Sequence, residues 1–230
     1  MYKDKKILGL IPARGGSKGI PHKNITDLCG KPLIYYTIAA GKASKYIDSV
    51  VVSTDDEKIA DISLSYGGDV PFMRPAAIAS DNSKTIDSVL HAIDTLEKLG
   101  RSYDTIVLLQ PTQPLRTSDD IDSAIEKYMK FNCIPLVSVC PVSDNPLLIR
   151  SIEGDRLQPL LNLNSTCRRQ DMPSFYRVNG CIYINESKDL TINTSFNDNP
   201  LPFIMESSHS VDIDDPIDLK MAEIMLNSCS

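Results

Sequence analysis

The chain has 230 residues and a formal net charge of −6, with 42% hydrophobic and 23% charged residues. That balance excludes a general electrostatic attraction to nucleic acid or to a membrane surface, and no run approaches the roughly 20 apolar residues of a membrane span. The six scattered cysteines contain no CxxC pair, so they read as free thiols rather than a zinc site or a disulfide framework.

The opening MYKDKKILGLIPARGG places charges before an apolar run, as a signal peptide does. The run is short and leads into Pro-Ala-Arg-Gly, so 6–12 (KILGLIP) is expected to be a first strand buried on both faces, in a cytoplasmic protein. Residues 32–43 are expected to be a helix with proline in its first turn. A strand at 49–53 (SVVVS) and a helix at 55–66 ending at Gly67-Gly68 follow. Next come a short strand near 70–73, a helix at 85–99 closed by Gly100, and a strand at 105–109 (TIVLL). A helix at 119–131, with Thr117 or Ser118 as its N-cap, leads to a strand at 135–140. From 141 to about 176 the composition turns to Pro, Asn, Ser and Arg, with strand-like pieces such as 147–152. An excursion of that length is functional or an interaction arm. Strand character returns at 181–184 (CIYI), and a last helix spans about 216–226. The alternation predicts an α/β fold: a three-layer, mostly parallel sheet with helices on both faces, in a single domain over 1–230.

In such a sheet, ligands gather beyond the carboxyl ends of the strands. After the first strand comes ARGGSKGIPHKN (13–24), with three glycines beside Arg14, Lys18 and Lys23. Either its backbone N–H groups and cations cradle a phosphate, or it is a glycine-rich turn with solvated lysines. It is neither a Walker A loop nor a GxGxxG fingerprint. After TIVLL comes QPTQPLR (110–116), whose prolines are expected to hold it extended. It offers polar side chains to a ligand or serves as a rigid loop. In VDIDDP (211–216), Asp212 and Asp214 point to one side of an extended chain and suit a magnesium ion. Alternatively, Asp214 or Asp215 caps the last helix. Arg168, Arg169 and Arg177 offer forks for a carboxylate or phosphate, or serve an interface. The three histidines show no metal-ligand spacing.

Together, IPARGGSKGIPHKN, VSTDD, RPAAIASDNS, LLQPTQPLR, RRQDMP, RVNGCIYI and VDIDDPIDL resemble the CMP-sialic acid synthetase (nonulosonate cytidylyltransferase) family, in the family's order along nearly the whole chain. The resemblance implies a Rossmann-like nucleotidyltransferase fold. It also implies a reaction in which CTP and a free nonulosonic acid give the CMP-sugar and pyrophosphate, for surface glycan synthesis. By that analogy Arg14, Ser17, Lys18, Lys23 and Asn24 form the triphosphate loop, and Arg74, Ser83 and Thr85 hold the nucleoside end. Gln110 and Thr112 face the sugar, with Arg169 and Tyr183 completing its pocket. Asp212 and Asp214 hold Mg²⁺, and Arg14, Lys23 and Asp214 carry the catalysis. The stretch 141–176 matches the family's dimerisation arm, which implies a homodimer. The family often has serine where this chain has Gln113, which is included in the sugar set as a candidate selector. Neuraminate, legionaminate and pseudaminate stay open as substrates, the eight-carbon acid Kdo is the nearest alternative, and a non-catalytic sugar- or nucleotide-binding regulator is a second class.

Overall fold

The first apolar run forms β1 (Ile7–Pro12), whose first five residues are buried because both faces are covered. This computed structural model describes residues 2, 4–17, 19–161 and 172–228. A two-residue ladder of β2 (Asp27–Leu28) and β3 (Lys31–Pro32) leads into α1 (Leu33–Ala43). Then come β4 (Ser49–Ser53), α2 (Glu57–Ser65), α3 (Thr85–Lys98), β5 (Thr105–Leu109), α4 (Ser118–Lys130) and β6 (Leu136–Pro141). A hairpin of β7 (Arg150–Glu153) and β8 (Arg156–Pro159) follows, then β9 (Tyr176–Glu186), β10 (Leu201–Ile204) and α5 (Pro216–Ser228).

The six-stranded sheet has the order β10-β6-β9-β5-β1-β4. β1 runs parallel to β4 and β5, and β10 parallel to β6. The antiparallel β9 lies between β5 and β6, joining the parallel trio β5-β1-β4 to the parallel pair β10-β6. Alternation along β1 splits the core. Ile7 and Ile11 pack with Ile34, Ile38, Ile59, Ile125 and Tyr128 of α1, α2 and α4. Leu8 and Leu10 pack with Ile86, Val89, Ala92 and Leu96 of α3. The expected three-layer α/β architecture is therefore present.

Local chemistry explains the boundaries. α4 begins with a reciprocal cap, in which the Thr117 hydroxyl accepts from Asp120 N (3.1 Å) and Asp120 accepts from Thr117 N (2.9 Å). α2 starts after the expected residue 55, because the Asp56 carboxylate caps it by accepting from Lys58 N and Ile59 N. The strand expected near 70–73 reduces to isolated bridges from Asp69 to Val51 and from Met73 to Thr54. In 147–152, a 3-10 turn over Pro146–Leu148 precedes β7, so the strand begins only at Arg150. The β7–β8 hairpin turns at Gly154 (φ +59°) and exposes Ile152 and Leu157.

Candidate active site

The expected ligand surface lies beyond the carboxyl ends of β1 and β5. Here the loop after β1 folds back on itself, with Asn24 buried and its Nδ2 donating to Arg14 O at 2.9 Å. Gly15 N donates to Asp55 Oδ1 at 2.9 Å, and a Cβ on Gly15 would sit 2.8 Å from Asp56 Oδ2. A Cβ on Gly19 would overlap Asp214 O. These two glycines are required for close approach to acidic segments.

This loop walls a cleft of about 430 Å³, whose lining includes Arg14, Ser17, Lys23, Asn24, Arg74, Ser83, Thr85, Gln110, Thr112 and Asp214. Most of the expected nucleotide set thus converges; Lys18 lies outside the described residues. Arg14 and Lys23 each face a carboxylate from another segment. Arg14 Nη2 is 2.8 Å from Asp81 Oδ1, and Lys23 Nζ is 2.9 Å from Asp214 Oδ1. Lys23 Nζ also donates to Ile213 O at 2.7 Å. The buried Arg74 donates from Nε to Ser53 Oγ at 3.1 Å and from Nη2 to Ser53 O. Burial brings its pKa down to about 10, against the pull of Asp55, so it stays cationic at neutral pH.

A second lobe of about 560 Å³ adjoins the first. Lys84, Thr85 and Gln110 line both, and Tyr183 and the segment 192–197 complete the second. The Tyr183 hydroxyl donates to Asn197 Oδ1 at 2.9 Å, and its ring packs on Phe196 with centroids 5.8 Å apart. Burial pushes the phenol up to about 12, so it remains a protonated donor. Arg169 lies outside the described residues.

Gln113 departs from expectation. It is fully buried and lines neither lobe; its Nε2 donates to Asn179 O of β9. The reason is local. Residues 110–116 are not extended but turn at 111–112 and again at 114–115, so Gln113 points back into the protein.

The aspartates before α5 divide their work. Asp215 Oδ1 caps the helix, accepting from Ile217 N (2.7 Å) and Asp218 N (3.0 Å), which leaves the Asp214 carboxylate for Lys23. Asp212 Oδ1 is buried without a hydrogen-bond partner. Burial raises the Asp212 pKa, the Thr112 hydroxyl opposes that rise, and Asp214 adds to it. A buried carboxylate with an orphaned oxygen, whose ionisation the neighbouring Asp214 opposes, forms with Asp214 a donor set that suits a hard divalent cation. Among the described residues no group of three or more His, Cys, Asp or Glu could hold a metal, so further ligands would have to be substrate oxygens and water.

Sequence reasoning missed Asp81, Lys84 and the whole of 192–197. Asp81 and Lys84 flank Ser83 in RPAAIASDNSK and were within reach; 192–197 (INTSFN) carries no charge or periodicity that marks a site.

The family model described as "Cytidylyltransferase" matches residues 8–193. The CMP-N,N'-diacetyllegionaminic acid synthase of Legionella pneumophila is 39% identical over 227 residues, covering 96% of each chain. The N-acylneuraminate cytidylyltransferase of Escherichia coli O18:K1:H7 is 34% identical over 94% of this chain, which spans 51% of that protein's length. A solved CMP:2-keto-3-deoxy-manno-octonic acid synthetase complexed with CTP superposes with a TM-score of 0.74 at 17% identity, covering 98% of this chain and all of that one.

Proposed function

The chain belongs to the cytidylyltransferase family, and from that premise we propose that it activates a nonulosonic acid with CTP, giving the CMP-sugar and pyrophosphate. The observation that carries this reading is the shared border of the two lobes at Lys84, Thr85 and Gln110. A nucleotide in the charged lobe and a sugar in the other would meet there.

In this mechanism the C2 hydroxyl of the sugar attacks the α-phosphorus of CTP in line, the new P–O bond forms as the hydroxyl gives up its proton to water, and the bond to the leaving pyrophosphate breaks. The loop 14–24 holds the triphosphate, with Arg14 and Lys23 leaving their carboxylate partners to meet the charge building on the phosphate oxygens. Arg74, Ser83 and Thr85 hold the nucleoside end. Gln110 orients the sugar from the border, Thr112 reaches toward it from the wall of the first lobe, and Tyr183 lines the far lobe. Asp212 and Asp214 would hold Mg²⁺, which when bound supplies charge neutralisation at the phosphate.

The extent and degree of similarity to the legionaminate synthase support N,N'-diacetyllegionaminate as the preferred acid, with neuraminate and pseudaminate as weaker substrates. The exposed apolar residues of the β7–β8 hairpin, Ile152 and Leu157, support 141–176 as the arm of a homodimer. Among the described residues no helix is long and apolar enough to cross a membrane; a cytoplasmic enzyme supplying surface glycan synthesis fits that.

The test is pyrophosphate release from CTP across legionaminate, neuraminate, pseudaminate and Kdo, each with Mg²⁺ and with EDTA. Release with a nonulosonate that stops in EDTA is expected. Release with Kdo alone would replace the substrate class, and CTP binding without turnover on any acid would favour a non-catalytic binder.

A further inference from the structure

Arg116 ends the LLQPTQPLR motif and takes no part in the chemistry above. It is 3% exposed. Its Nη1 donates to Cys181 O at 2.9 Å and to Gln110 O at 3.3 Å, and its Nη2 donates to Thr37 Oγ1 at 2.7 Å. The Thr37 hydroxyl in turn donates to Gln110 O at 3.4 Å. One guanidinium therefore ties α1, the turn after β5 and the sugar-lobe strand β9 together.

Among the described residues Arg116 forms no ion pair. Cys181 Sγ lies 3.6 Å from Nη1, but burial raises that thiol to about 11, so it supplies no counter-charge. Burying an unpaired cation is costly, and an apolar side chain could join three elements without that cost. What the guanidinium adds is a rigid fork with Nη1 on two backbone carbonyls and Nη2 on the Thr37 hydroxyl. One of those carbonyls belongs to Gln110, the residue at the border of both lobes.

We propose that Arg116 is a positioning residue: its fork fixes the Gln110 peptide against β9, and its unpaired positive charge lies beneath the place where the nucleotide phosphate and the sugar acid meet. The inference rests on the cytidylyltransfer reaction proposed above. It goes further by making the alignment of the two lobes depend on a residue behind the cleft. Misplacing a reacting group by about 1 Å costs roughly 100-fold in rate, whereas CTP is held mainly by the loop after β1 and does not need Arg116.

Three variants test this, each with CTP affinity by calorimetry, steady-state kcat and sugar KM, and a thermal melt. Arg116→Met is expected to lower kcat roughly 10- to 100-fold with CTP affinity within about threefold. Arg116→Lys restores the charge without the fork and is expected to fall between Arg116→Met and wild type. Thr37→Val removes one anchor of the fork from α1, away from both lobes, and is expected to lower kcat about fivefold; it decides the matter if Arg116→Met does not fold. Folded variants that match wild-type kcat and sugar KM would overturn the inference and leave the reaction standing. So would variants that lose CTP affinity in step with kcat, since that marks a general structural role. A wild-type protein that binds CTP but activates no acid would overturn the reaction itself, and the inference with it.

Discussion

The two lobes of the cleft share a wall and differ in almost everything else. The first is lined by Arg14, Lys23, Arg74, Asp81 and Asp214, and its loop packs so closely that glycines stand at positions 15 and 19. The second has one charged residue in its lining, Lys84, and is closed by the uncharged segment 192–197 over β9. Under the proposed reaction the contrast follows from the ligands. A triphosphate presents the same charge in every reaction of this kind, so its lobe is set by electrostatics. A sugar acid varies in its acyl and hydroxyl groups, and amides, hydroxyls and a few apolar side chains discriminate those. Changes in the second lobe therefore alter substrate choice without disturbing the nucleotide.

Arg14 gives the strongest test of that separation. Arg14→Ala is expected to lower the single-turnover rate by about 10² while sugar affinity stays within about twofold, because the residue meets charge that develops on phosphate. Rapid-quench kinetics at saturating CTP would measure it. A sugar affinity that falls as far as the rate does would show that the lobes act as one site.

The mirror experiment is Asn197→Ala. Asn197 Oδ1 accepts from the Tyr183 hydroxyl, and its loss frees the phenol and one side of the second lobe. Sugar KM is expected to rise roughly fivefold with CTP KM unchanged. A rise in CTP KM of similar size would break the comparison from the other side.

The same contrast explains what the sequence made legible. The strands at 49–53 and 105–109 were readable to the residue, because uninterrupted β-branched and apolar runs end at turn chemistry. The loop that lines the charged lobe was readable because cations stand beside glycines directly after a strand. β9 was foreseen only at 181–184, since 176–178 is exposed and Gly180, at φ +75°, masks the strand pattern. The second lobe was largely hidden: INTSFN has loop composition, and only folding brings it over Tyr183. Arg116 was visible as a letter in a motif, but its burial depends on where α1 and β9 pass.

Gln113 is the smallest and most discriminating case. At this position the resemblance suggested a selector, yet the side chain is buried against β9, donating to Asn179 O. Gln113→Ser removes that donor and leaves a void, which is expected to cost about 1–3 kcal/mol of stability. The order of preference among the acids should hold, with each kcat/KM within about twofold of wild type at a temperature where the variant is folded. One route could carry a larger effect. The space beside Gly180, where a Cβ would stand, lies 3.7 Å from Gln113 Nε2, 3.9 Å from Asp212 Oδ2 and 4.0 Å from Tyr183 Oη, so a collapse there reaches the Tyr183 wall of the second lobe and the Asp212 carboxylate. If Gln113→Ser reorders the acids, the strand at 179–180 transmits packing to the sugar lobe, and specificity is set partly from behind the cleft. If only the melting temperature moves, the glutamine is a structural substitution and the selectors lie in 192–197.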